Sequence, residues 1–276
     1  MLSAVDLSGH TVLALHPHPD DEAIFTGLTL RRLADAGARV VLVMATSGDL
    51  GEALVPLAAG ESVAQRRVRE LEDAAEILGV ARLVMLNRRD SGLPGDPSNH
   101  HPLALAAAEP LALASRIAEL ADAEGAGTLI VDDELGVYGH PDHRMSGLVG
   151  SIAGELTGAT VYRTTVDREH LHVTAPGGHL VHGAARAAEV DFGRVTAEIG
   201  LAVTGDERHL AAKRAAILAH ASQVAPVDVP EAGFAATYGY EWFRRTAGAT
   251  GALDLLGNAH LIGPAVRAHA LTPAAG

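Results

Sequence analysis

The chain contains no cysteine. Disulfides, thiolate nucleophiles and sulfur-based metal sites are thereby excluded. A metal site here must use imidazole and carboxylate, a donor set that suits zinc and related divalent ions. Aromatic residues make up only 3% of the 276 residues, so the core has to be built from Leu, Val, Ile and Ala. Lysine is nearly absent, and arginine carries the positive charge. That charge is in deficit, with a formal net of −13. An acidic surface favours solubility and argues against nucleic acid as a partner. No apolar run approaches the roughly 20 residues of a membrane-spanning helix, so no membrane partner is expected. Residues 1–10 lack a basic segment followed by a long apolar one, so no signal peptide is expected and the cytoplasm is the expected compartment. Hydrophobic content of 48% and a mean hydropathy of +0.17 indicate a globular chain, long enough for one large domain. Composition leaves a homo-oligomer open.

The hydrophobic pattern alternates between strand and helix. Thr11–His16 reads as a short buried strand. Residues 20–36 follow as a helix, with Gly37 as its stop. Arg39–Thr46 is a near-continuous apolar run, as in a parallel strand covered on both faces. Ser62 and Gln65 have the spacing of a capping box. Val68, Leu71, Ala75 and Leu78 then mark one helical face that Gly79 ends. Residues 82–86 and 128–131 are further strands. A loop over 87–102 and a helix carrying Leu113, Ile117 and Leu120 lie between them. The expected fold is therefore α/β, a Rossmann-like, mainly parallel sheet flanked by helices. Residues 1–276 read as a single domain, with a small C-terminal subdomain over about 166–276 left open. Residues 167–193 read as polar loop and 194–203 as a candidate strand. Asp206 caps a helix to about His220, and the stretch from Thr246 resists assignment.

Two tetrapeptides echo one another, His18-Pro19-Asp20-Asp21 and His140-Pro141-Asp142-His143. Proline suits the first position of a helix, and residues three apart in a helical turn face the same way. His18 and Asp21 can converge, and so can His140 and His143. Each motif follows a strand, and parallel sheets bind ligands beyond the carboxyl ends of their strands. Acids in a first turn are also ordinary helix capping, but capping explains neither the histidines nor the repetition. A dinucleotide fold would need G-x-G-x-x-G after the first strand, and that is missing, as are a P-loop and a G-x-S-x-G elbow.

The chain resembles the PIG-L/LmbE-like family of zinc-dependent N-deacetylases. The resemblance rests on His18 to Glu22, on Tyr138 to His143, and on Arg67, Glu70, Ala74, Leu78 and Gly79 between them. Arg89 to Gly92, Lys213 to Gln223 and, more weakly, Glu241-Trp242-Phe243 extend it. It implies His18, Asp21 and His143 as ligands of Zn2+, with Fe2+ an open alternative. It implies Asp20 as general base, His140 with Tyr138 as oxyanion stabilisers, and Asp142 as a hydrogen-bond partner that tunes His140. Arg67 and Asp90 match positions that contact the sugar, although Arg67 could equally be a surface partner of Glu70. The implied reaction is hydrolysis of an N-acyl group, foremost the acetyl of an N-acetylglucosamine-type small molecule. Rival readings are an amidase for a larger acyl group, as in mycothiol-conjugate or natural-product processing, and a noncatalytic metal- or sugar-binding protein.

His16, His220 and Gln223 are expected to support the site or its rim. His100, His101, His170, His172, His179 and His182 read as solvent-facing loop residues, with no second metal expected. Substrate choice is expected to reside in the segments 47–61, 87–102 and 166–195.

Overall fold

The structure is a computed structural model describing residues 5–245 and 250–256. Most of the stretch from Thr246, left unassigned above, lies outside the described residues, as do residues 1–4. In chain order the elements are β1 (Thr11–His16), α1 (Asp21–Asp35), β2 (Arg39–Thr46), α2 (Val63–Leu78), β3 (Arg82–Arg88), α3 (Pro110–Glu124) and β4 (Ala126–Asp132). They continue with α4 (Gly136–Gly139), α5 (Pro141–Thr157), β5 (Thr160–Thr165), α6 (Arg168–Thr174), α7 (Val181–Ala187), β6 (Leu201–Thr204), α8 (Glu207–Ala219), α9 (Phe234–Tyr238), β7 (Tyr240–Arg245) and α10 (Ala252–Leu256). The strands form one seven-stranded sheet in the order β3-β2-β1-β4-β5-β7-β6. The first five run parallel, and β7 and β6 are antiparallel additions at one edge.

The apolar runs explain the layers. All of β2 except Arg39 is buried, because helices cover both faces of the sheet. One face packs Val12, Ala14, Val40, Leu42 and Met44 under α1, α2 and α8. The other packs Leu13, Leu15, Val41, Val43, Leu129 and Val131 under α3 and α5. The capping box forms as the sequence predicts: Ser62 Oγ accepts from Gln65 N at 3.2 Å and Gln65 Oε1 accepts from Ser62 N at 2.9 Å. Gly79 ends α2 at φ +76°.

Chain direction across the sheet reverses between β1 and β4. The segment after β1 winds outward to β2 and β3, and the chain then returns to β4 on the other side. The loops leaving these two strands diverge and open the crevice where open α/β sheets place their ligands. Both His-Pro motifs lie where those loops pass into the following helices, α1 and α5. Helix α5 comes close to β4 because of glycine. A Cβ on Gly147 would lie 2.6 Å from the Asp132 carbonyl oxygen, and one on Gly150 would lie 2.2 Å from Val131 Cγ1. That approach carries His143 onto the end of β4.

The C-terminal part departs from its sequence reading. Residues 167–193 form α6 and α7 rather than an extended loop. Of 194–203, only the end belongs to a strand, β6, preceded by a 3-10 turn at Thr196–Glu198. His170, His179 and His182 are buried, contrary to the solvent-facing expectation, while His172 is exposed. The reason is aromatic packing that spacing along the chain does not reveal. His170 lies 5.3 Å from both Tyr240 and Trp242, His179 lies 4.5 Å from Tyr238, and His182 lies 4.8 Å from Phe192.

The single lysine of the chain, Lys213, is buried on α8. Its Nζ donates to Glu241 Oε1 at 2.7 Å, and the Glu241 carboxylate accepts the backbone N–H groups of Leu28 and Thr29, each at 2.8 Å, midway along α1. Glu241 thus ties β7 and α8 to the helix that begins at the first His-Pro motif. Glu241→Ala would leave a buried ammonium and two amides without their acceptor. Removing one partner of a buried pair costs about 3–5 kcal/mol, and urea denaturation should show a loss of that size. A loss within the roughly 0–1 kcal/mol of an exposed pair would show that the tie contributes little.

Candidate metal centre and cleft

The loop after β1 is held in an unusual shape. Pro17 O accepts from both the backbone N and Oγ1 of Thr46, each at 2.9 Å, which fixes the loop to the end of β2. Helix α1 then starts one residue later than its sequence reading. Asp20 is the N-cap, so Pro19 stays outside the helix rather than at its first position. Asp20 has φ +117°, a conformation that costs a non-glycine residue about 1–3 kcal/mol. Its N–H donates to Glu22 Oε2 at 2.9 Å, and Glu22 Oε1 is bonded to His220 Nε2 at 2.6 Å. Arg67 supports the same turn. Its guanidinium donates to Pro19 O and to Gly48 O and pairs with Asp20 Oδ2 at 3.3 Å. The surface pairing of Arg67 with Glu70 does not form. Arg67 is buried, and Glu70 accepts from Ser222 N and Oγ.

The second motif follows its sequence reading closely. His140 is the N-cap of α5 and Pro141 the first helical residue, with His140 Nδ1 accepting from Asp142 N at 3.1 Å. Val137 just before it has φ +55°. That kink turns Tyr138 so that its ring lies 4.8 Å from that of His143.

Three donor atoms converge between the motifs. Asp21 Oδ2 lies 3.2 Å from His18 Nδ1 and 3.3 Å from His143 Nε2. Ligand bonds of about 2.0–2.1 Å in a tetrahedron set donor atoms about 3.3 Å apart, so the spacing fits a common metal ion. His143 supplies a second indication. Both of its ring nitrogens are buried and outside hydrogen-bond geometry, although Asp132 Oδ2 stands 3.2 Å from Nδ1. A carboxylate behind the far nitrogen of a histidine is the usual backing of a metal ligand. His18 has the same arrangement, with Asp142 Oδ2 at 3.1 Å and Asp90 Oδ1 at 3.6 Å from Nε2.

The position of Asp142 differs from expectation. Its carboxylate accepts from Ser91 N at 3.0 Å and from Ser91 Oγ, and faces His18. Only its backbone N–H reaches His140. The cause is helical geometry: with His140 as N-cap, the Asp142 side chain projects from the first turn toward the loop after β3.

Charge state follows from this crowding. Burial disfavours an ionised Asp20, Arg67 partly offsets that and Asp21 adds to it, leaving the Asp20 pKa raised to about 6. Burial and the charges of His18 and His143 lower the His140 pKa to about 3. Because His140 Nδ1 accepts a backbone N–H, the neutral ring carries its proton on Nε2. Burial opposes a charged His18, but Asp90, Asp142 and Asp21 together raise its pKa well above the ordinary value. Burial works against ionised Asp90 as well, and His18 and the Gly92 N–H overcome it to hold its pKa low.

His18, Asp20, Arg67, Asp90, Tyr138 and His140 open onto one cleft of about 500 Å3. Asp21, Asp132, Asp142 and His143 lie behind it, fully or nearly fully buried. His16 is packed behind it too, bonded to Thr26 Oγ1 at 2.8 Å. Among the described residues, the two groups able to hold a metal, His18-Asp21-His143 and His18-His140-Asp142, share this place.

Residues 13–153 match the family profile of PIG-L, GlcNAc-PI de-N-acetylase. The chain belongs to the PIG-L family. It is 33% identical over 245 residues to 1D-myo-inositol 2-acetamido-2-deoxy-alpha-D-glucopyranoside deacetylase of Salinispora arenicola, covering 81% of this chain and 79% of that one. The enzyme of the same name from Acidothermus cellulolyticus is 36% identical over 239 residues, covering 80% of this chain and 81% of that one. Among solved structures, N,N'-diacetylchitobiose deacetylase from Pyrococcus horikoshii aligns with a TM-score of 0.55 at 22% identity, over 86% of this chain and 83% of that one. That likeness shows a shared fold. PIG-L membership makes the chain a hydrolytic N-deacetylase by class.

Sequence reasoning passes over Asp132 and gives no site role to Glu22 or Ser91, although both lie in matched segments. Asp132 closes an apolar strand and carries no motif. Glu22 was legible only as a helix-dipole acid, since its partner His220 is 198 positions away. If the donor set is a metal centre, His18→Ala and His143→Ala should abolish tight metal binding. Asp132→Asn should weaken it by about 10–100-fold, the usual effect of removing such a backing group. Competition against a chelating dye measures this, and unchanged affinity in Asp132→Asn would remove its assigned role.

Proposed function

We propose that this PIG-L protein removes the N-acetyl group from an N-acetylglucosamine-type glycoside, with zinc held by His18, Asp21 and His143. The observation that carries the reading is the placement of Asp20. A carboxylate with its pKa raised to about 6 stands at the floor of the cleft, in a strained turn, next in sequence to one of the converging donors. A site that only bound a metal or a sugar would have no use for a base held there at a conformational cost. The curated relatives are named for removing acetyl from a glucosaminyl inositol, which supports an aminosugar as substrate. Among the described residues no helix is long and apolar enough to cross a membrane, and the cytoplasm is the compartment we assign.

Zinc held there would supply Lewis acidity and make water a stronger acid. The remaining work falls to the side chains. Asp20 is placed to take the proton of the attacking water and to return it to the departing amine. His140, neutral with its proton on Nε2, donates toward the oxygen on which charge develops. Losing one such donor costs roughly 3–4 kcal/mol in the transition state. Tyr138, whose pKa burial and the surrounding carboxylates raise well above its usual value, acts as a neutral donor on the same side. Arg67 holds Asp20 and its turn, and Asp90 faces the cleft as an acceptor for sugar hydroxyls.

Incubation of the metal-loaded protein with N-acetylglucosaminyl glycosides, followed by mass spectrometry, should show conversion to the free amine. An unaltered N-acetyl group across the series would reject the reading. Asp20→Asn should keep the metal and lose about 10²–10⁴ in kcat. Burial holds the Asp20 pKa up and Arg67 opposes that, so Arg67→Gln should move the acidic limb of the pH–rate profile to higher pH. A limb that stays in place or moves downward would show that Asp20 is not the titrating base.

A further inference from the structure

The cleft has two unlike halves. Its floor is polar and belongs to the reacting centre. Its lip is formed by Leu50 from the loop after β2, Leu93 from the loop after β3, and Ala184 and Ala187 of α7. Leu50 is 39% exposed and Leu93 37% exposed. Single exposed leucines need no explanation. Here two leucines from separate loops line one cavity together with two alanines that leave room. All four lie in segments where the chemistry of the centre requires no apolar group.

The charges of the cleft are one-sided. Asp20, Asp90 and Asp96 line it against Arg67 and against His18, which is enclosed at the floor by Asp21, Asp90 and Asp142. The Arg67 guanidinium is already engaged by Gly48 O, Pro19 O and Asp20. The Gln223 amide, also at the lip, is engaged by Glu52 O and Ser222 O. The free donors that line the cleft, His140 and Tyr138, belong to the reacting centre, and the lip offers no unengaged cationic side chain to a phosphate or carboxylate. Few donors face the hydroxyl groups of a polar aglycone.

We propose that the lip is an aglycone subsite for an uncharged group with an apolar face, and that it selects against anionic aglycones. This rests on the deacetylase reading given above. The acetyl group must lie at the buried floor, beside Asp20 and His140. The part of the substrate farthest from the reacting carbonyl then meets Leu50, Leu93 and the α7 alanines. An acetyl group extends only one carbon beyond that carbonyl, so the wall is assigned to the aglycone rather than to the acyl group.

The test compares the methyl, myo-inosityl and phenyl glycosides of N-acetylglucosamine, N-acetylglucosamine 1-phosphate and N-hexanoylglucosamine methyl glycoside on the metal-loaded full chain. Readouts are kcat/KM by amine release and Kd by calorimetry with Asp20→Asn, in which bound substrate persists. The phenyl glycoside should exceed both the methyl and inosityl glycosides by about tenfold or more, the scale of discrimination by a hydrophobic wall, and the 1-phosphate should be the poorest. Leu93→Asp should shrink the phenyl-to-methyl ratio about tenfold, whereas Leu111→Asp, at an exposed position of α3 outside the cleft lining, should leave it unchanged. Equal or undetectable affinity across the glycosides, or preference for the inosityl glycoside or the phosphate, would overturn the proposal. A gain for the N-hexanoyl compound alone would make the wall an acyl pocket and overturn it as well. If no glycoside is turned over while the Kd order holds, the deacetylase reading fails and the subsite stands.

Discussion

Carboxylates outnumber cations where β1 and β4 end, and the site is organised around that imbalance. Asp21, Asp90, Asp132 and Asp142 are buried around His18 and His143, and Arg67 is committed to the neighbouring turn. Buried charge without compensation is costly. Each carboxylate answers this locally: Asp142 takes two bonds from Ser91, Asp90 takes the Gly92 N–H, Asp21 takes the His18 N–H, and Asp132 stands behind His143. What remains is focused where His18 Nδ1, Asp21 Oδ2 and His143 Nε2 meet. A divalent cation there would draw on all of this charge at once.

The scaffold keeps that concentration in place by connecting it to distant elements. Glu241 joins Lys213 to the middle of α1, and Glu22 joins His220 to the turn at Asp20. The turn at Asp20 is therefore tied to α8 at two points, at Lys213 in its middle through Glu241 and α1, and at His220 just past its C-terminal end through Glu22. The antiparallel strand β7, which looks peripheral in the sheet, carries one of these anchors. This gives a physical reason why the family's sequence resemblance continues so far beyond the two His-Pro motifs.

Much of the fold was legible because it depends on local rules. The Arg39–Thr46 run, the Ser62 and Gln65 capping box and the glycine at 79 each dictate their structure within a few residues. The convergence of His18 with Asp21 was legible for the same reason. Spacing alone does not give the cross-motif pairing, which only the family resemblance implies: His143 meets Asp21 while His140 turns to the other side of His18, because α5 approaches β4 through its glycines. The resemblance implies Asp142 as a partner of His140, and helix geometry sends its side chain to His18 instead. The histidines at 170, 179 and 182 were read as loop residues because their partners, Tyr238, Tyr240, Trp242 and Phe192, lie far along the chain or have no periodic pattern. Contacts between segments distant in sequence were where residue spacing stopped being informative.

A metal titration of the chelator-treated protein, followed by amine release from an N-acetylglucosaminyl glycoside, tests the centre most directly. Activity should be absent without metal, rise in proportion to added zinc, and level off at one equivalent per chain. Activity that survives complete metal removal would contradict a catalytic metal at His18, Asp21 and His143, and so would a rise unaffected by His143→Ala.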